Sequence, residues 1–157
     1  MNDALFRENV IELLNGGSAH AKISQALADL LPANRNKLPE NSPYSVWELF
    51  DHIRIAQNDI YKYIVDPNWK SPSWPDEYWP DKKHLNISDK KWNDTIDFFN
   101  SDLDELIKIA QDPEIDLLSE IPHAPGVTYL RELLLAADHK AYHTGQIITV
   151  RKLLDNW

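Results

Sequence analysis

Every proline in this chain stands between segments of helical periodicity, never inside one. A proline in a helix interior costs about 3 kcal/mol or more. Pro32, Pro39 and Pro43, then Pro67 to Pro80, then Pro113, Pro122 and Pro125 therefore cut the 157 residues into four helical stretches. The first is itself broken. Asp3 to Leu14 is helix-compatible, but each glycine of Gly16-Gly17 costs a helix roughly 1 kcal/mol. Ser18 is placed to cap a second piece that runs to Leu31, with Ile23, Leu27 and Leu30 as its apolar stripe.

The next two starts are signed by their caps. Ser45-Val46-Trp47-Glu48 is a capping box, and Val46, Leu49, Phe50, Ile53, Ile60 and Ile64 follow on one face until Asp66-Pro67. Ser88 can cap a third helix in which Trp92, Ile96, Phe99, Leu103, Leu106 and Ala110 alternate at spacings of four and three. The last helix is expected from about Thr128 to Leu154. Nothing alternates with period two over a useful length, so no strands are expected. The reading is all-α, a small helical bundle, with residues 1–157 as one domain.

Between the second and third helices, residues 68–83 hold three prolines together with Trp69, Trp74, Tyr78 and Trp79. The prolines forbid a regular element, whereas disordered segments do not carry such aromatic content. An ordered loop docked on the bundle is expected, either as a lid on a substrate pocket or as a plug at the open end of the bundle.

Net charge and cysteine usage exclude several functions. At −9, with no basic run on any helix, the chain would be repelled by nucleic acid and by anionic membranes. Met1 to Glu8 carries charges where a secretory signal would be apolar, and no run approaches the ~20 apolar residues of a membrane span, so a cytoplasmic protein is expected. The absence of cysteine removes disulfides, iron–sulfur clusters and a cysteine nucleophile, and any thiol chemistry needs an external thiol.

Three histidines are the candidates for chemistry. His139 and His143 stand four apart in the last helix, so both side chains leave the same side, one turn apart. That spacing can set two imidazole nitrogens about 2.1 Å from one zinc-like ion. His52, mid-helix at the border of an apolar stripe, is the best third ligand. The bland alternative is that all three are helix histidines hydrogen-bonded at the core margin. Against it, the pair lies in an apolar stripe where a bare imidazole is costly to bury. Gln146 follows one turn later, and Ala136 and Gly145 leave room for a ligand. Lys140 after His139 rules out the zinc-protease motif, and no Glu-x-x-His pair supports a di-iron site. Three neutral histidines with an open position suit zinc, nickel or iron(II). His20, His84 and His123 are expected to be solvated or hydrogen-bonded, with His20 the one that could also face the site.

On these residues the chain resembles the DinB/YfiT-like superfamily. The resemblance is carried by Ser45 to His52, by His139-Lys140-Ala141-Tyr142-His143-Thr144-Gly145-Gln146-Ile147, and by Trp74 to Pro80. It implies an antiparallel four-helix bundle with a long crossover, one divalent metal on His52, His139 and His143, and frequent homodimers. Characterised members include thiol-dependent transferases and isomerases. The leading expectation is a transferase in which the metal activates a low-molecular-weight thiol against a small electrophile, with Gln146 and Tyr142 nearest for supporting roles. The alternatives are a non-catalytic, stress-related binder of a small molecule or metal, and a metal-dependent hydrolase using Asp138 or Glu48 as base. A homodimer through the last helix is expected because its second face, Leu130, Leu134, Ala137, Ala141 and Ile148, is also apolar.

Overall fold

The computed structural model describes residues 3–81 and 86–157. It is mainly helical: α1 (Asp3–Asn15), a short α2 (Ile23–Leu27), α3 (Val46–Val65), α4 (Asp89–Gln111) and α5 (Tyr129–Leu153). Each of α4 and α5 packs against α3, and each also packs against α1. His84 lies outside the described residues, as do Lys82 and Lys83 at the end of the aromatic loop.

The caps at Ser45 and Ser88 act as their sequence predicts, and Thr128 supplies one that the sequence reading did not name. Ser45 Oγ accepts from the Glu48 amide at 3.2 Å, while Glu48 Oε2 accepts from the Ser45 amide at 2.8 Å. Ser88 caps α4 through the Lys91 amide, and Thr128 caps α5 through the Arg131 amide. Buried cations serve the other ends, where helix carbonyls lack partners. The Arg7 guanidinium donates to the carbonyls of Ala110, Asp112 and Ile115 beyond α4. Arg151 donates to Ala26 and Ala28 beyond α2, and the Lys140 ammonium to Leu14 at the end of α1.

Two expectations are corrected. Residues 18–22 form no helix, because Gly16, Gly17 and Ser18 all take positive φ and the Ser18 hydroxyl donates back to Glu12. The second piece therefore starts at Ile23, where the Lys22 amide is capped by Gln25, and it ends before Asp29, also at positive φ. Strands do occur. Glu120–Ile121 (β1) pairs antiparallel with Ala124–Thr128 (β2) around Pro122-His123. Two and five residues, one strand holding Pro125 and Gly126, are too short and irregular to show alternation.

The core has two centres. Trp47, Phe50, Phe99 and Ile147 anchor one, with Phe50 ring centroids 5.5 Å from Trp92 and 5.7 Å from Phe99. Leu14, Leu106, Leu133 and Ile121 anchor the other. The latter includes Ala137 and packs against Leu130, while Ile148 packs on the former. Most of the second face of α5 is thus covered by the chain's own elements, and only Leu134 on it is exposed. The dimer expectation loses the physical basis it was given.

Candidate metal centre

His52 sits in the second turn of α3, fixed by the capping box and by Phe50 and Ile53, which flank it in the core. His139 and His143 project from α5 toward it. The three rings meet edge-on, with centroids 4.8 Å (52–139), 4.7 Å (52–143) and 4.5 Å (139–143) apart. One ring nitrogen from each lies within 4.8 Å of the others, a group able to hold a metal ion.

The partners set which nitrogen faces inward. His52 Nδ1–H donates to the Tyr78 carbonyl at 2.7 Å, and His143 Nδ1–H donates to Gln146 Oε1 at 2.6 Å. A carbonyl only accepts, so both rings carry their proton on Nδ1 and present the Nε2 lone pair. Nε2 of His139 lies 3.0 Å from Nε2 of His52. Two nitrogens each ~2.1 Å from one ion stand ~3.0–3.4 Å apart across octahedral to tetrahedral angles, so this pair needs almost no movement to share one. The donor set is three neutral imidazoles, which suits zinc, nickel or iron(II).

Electrostatics keep the donors neutral. Burial, then the nearby His143 and His52, push the His139 pKa down to about 4. Burial also lowers His52 and His143, against the opposing bonds to Tyr78 and Gln146. A neutral imidazole is the form that binds a metal.

The aromatic loop supplies part of this arrangement. Trp69 Nε1 and the Tyr78 hydroxyl both donate to Asp59, at 2.7 and 2.6 Å, fastening the loop to α3 two turns beyond His52. Burial, with the Asp59 carboxylate beside it, pushes the Tyr78 phenol up to about 12. Trp79 lies flat on His52, centroids 4.0 Å apart and planes within 2°, and Tyr44 stacks on the far face of the same indole at 4.3 Å. Trp74, by contrast, is 74% exposed, so not all of the loop is docked.

His20 is exposed, bonds its own neighbour's carbonyl at Ala21, and is not in the cluster. His123 is exposed and donates to the Tyr63 carbonyl. Asp138 is exposed, and Glu48 is held by the Ser45 amide. The sequence did not point to the Tyr78 carbonyl or Asp59, and it placed Trp79 only within an aromatic loop expected to dock. A main-chain acceptor leaves no letter in the sequence, and nothing in the letters singles out Asp59 among the carboxylates of α3.

Fold and site together define a helical protein whose three-histidine cluster can hold a divalent ion. The sequence profile of the DinB superfamily matches residues 18–147, and the chain belongs to that superfamily. No curated protein and no solved structure matches it. Among the described residues, no helix is long and apolar enough to cross a membrane.

Proposed function

We propose that this chain is a metal-dependent transferase that joins a low-molecular-weight thiol to a small electrophile, on an antiparallel four-helix bundle with a long crossover. His52, His139 and His143 are the ligands of one divalent ion in this reading. The observation that carries it is the donor set: three neutral imidazoles and, among the described residues, no fourth side chain in the group. A structural metal site is normally closed by four protein ligands, whereas a catalytic one keeps a position open. With no cysteine in the chain, the sulfur comes from outside.

Held by His52, His139 and His143, a divalent ion would supply the Lewis acidity that favours thiolate over thiol near neutral pH. The chain's own residues do the rest. Tyr78 and Gln146 hold the Nδ1 protons of His52 and His143, which keeps both Nε2 lone pairs aimed inward. Trp79 covers one face of His52 and limits water there. In the overall reaction the thiol sulfur bonds to the electrophilic carbon as that carbon's bond to the leaving group breaks, the leaving group takes the bonding pair, and the thiol proton passes to solvent. A hydrolase is less well supported, because Asp138 is exposed and not among the clustered groups, and Glu48 is engaged in its cap.

Elemental analysis of untagged wild type and of His52→Ala, His139→Ala and His143→Ala tests the site. About one ion per wild-type chain, lost in each variant, is expected. An empty wild type that refuses added zinc and nickel would sink the metal reading. A metal-loaded protein inactive with several thiols and electrophiles would leave a binder.

A further inference from the structure

Beside the histidines, on the side of Tyr44 and Gln146, α5 and the segment before α3 enclose a cleft of about 410 Å³. Its walls are Tyr44, Leu49, Tyr142, Gln146, Val150 and Leu153. Among the described residues no charged side chain lines it, so an ionised ligand would find no counter-charge. The volume lies within the ~300–1,000 Å³ of small-molecule sites. Tyr142 and Leu153 stand 64% and 58% exposed at its edge, large side chains open to solvent.

Both walls connect to the histidines, one through Trp79 and the other directly. Tyr44 stacks on Trp79, which stacks on His52, a continuous file of three rings. On the other wall Gln146 accepts from His143 Nδ1 and donates to the Tyr142 hydroxyl at 3.4 Å, and the Tyr142 ring lies 4.8 Å from that of His143. Gly145 keeps the space open, since a Cβ there would meet nothing within 4 Å.

We propose that this cleft binds an uncharged, flat aromatic small molecule beside the three-histidine cluster. Assigning that molecule as the electrophilic substrate rests on the transferase reading above. Its binding to the cleft does not. Tyrosine faces favour a planar π system, and the Gln146 amide, which lines the cleft and bonds His143, offers a polar contact.

The test is a fluorescence titration of metal-stripped and zinc-loaded wild type with N-phenyl-1-naphthylamine. Its sulfonated analogue, 8-anilino-1-naphthalenesulfonate, has the same rings plus one charge. Saturation of the neutral dye at one per chain is expected, with the sulfonate at least tenfold weaker. Gly145→Trp fills the cleft and Thr149→Arg adds a charge to its wall. Each should weaken the neutral dye at least tenfold, with circular dichroism confirming a folded chain. The inference is overturned if the neutral dye does not saturate, if both folded variants bind it like wild type, or if the sulfonate binds equally well. A second copy covering the cleft, seen as a sedimenting dimer that excludes the dye, also overturns it. Zinc uptake without dye binding refutes the cleft alone, and dye binding without zinc uptake refutes the metal reading alone.

Discussion

Cutting the side-chain tie between the aromatic loop and α3 should weaken the metal site, although neither the Tyr78 hydroxyl nor Asp59 belongs to the histidine cluster. The Tyr78 hydroxyl bonds Asp59 at 2.6 Å, and the carbonyl of the same residue holds His52 Nδ1 at 2.7 Å. Tyr78→Phe removes one bond to a carboxylate. Such bonds contribute ~1.5–3 kcal/mol, and the half-exposed setting argues for the lower part of that range, about 1.5–2 kcal/mol. For a domain of this size that is a fall in Tm of roughly 3–6 °C. Asp59→Ala also releases Trp69 Nε1 and should cost more. The second effect is on the metal. A partner that orients a ligating histidine is worth ~10–100-fold in affinity. Competition with a chromophoric chelator should therefore show zinc bound about tenfold more weakly by Tyr78→Phe, and more weakly still by Asp59→Ala. The nitrogen-15 spectrum of metal-free protein gives an independent reading, as the Nδ1–H form of His52 should lose its dominance in Asp59→Ala. A variant that loses stability yet keeps zinc affinity within twofold, with the His52 tautomer unchanged, would refute the orienting role.

Three further outcomes follow from the same geometry. The three histidines have lowered pKa values, His139 at about 4, against ~6.5 in the unfolded chain, so below pH 6.5 the unfolded state takes up protons that the folded state refuses. The urea midpoint of metal-free protein should fall as pH drops from 6.5 toward 4, less steeply in His139→Ala, and an equal slope in both would contradict the assignment. Zinc at a hundredfold excess over its Kd should add about 2.7 kcal/mol to the unfolding free energy, and His143→Ala should show no such gain by calorimetry. Gly145→Ala, in mid-helix with open space around its Cβ, should stabilise by up to about 1 kcal/mol, which a chemical melt would detect and a destabilisation would deny.

Local chemistry made most of this legible. Caps at Ser45 and Ser88 depend on residues three apart, and the stripe of α4 on its own periodicity, so both could be read without the fold. The convergence of His52 with His139 and His143 was inferable because each stands on a predicted apolar border. Where distant partners decide, the letters were silent. Ser18 looks like a cap, yet its hydroxyl turns back to Glu12 once the chain bends at Gly16-Gly17. The second face of α5 looks unpartnered, yet it is largely taken up by both core centres. The hairpin at Glu120–Thr128 carries no alternation to read.

The indole lying flat on His52 has an optical consequence. Emission from an excited tryptophan depends on the charge and electronic state of whatever it stacks on, so Trp79 reports on His52 without any label. Binding of an open-shell ion such as nickel should dim that component, while closed-shell zinc should leave it brighter than nickel does. Subtracting the spectrum of Trp79→Phe isolates the signal from the other five indoles. If wild type and Trp79→Phe give identical responses to both ions, the ring is not reading the site. If they differ, occupancy can be followed by eye of the instrument in real time, ligand by ligand, in the unmodified chain.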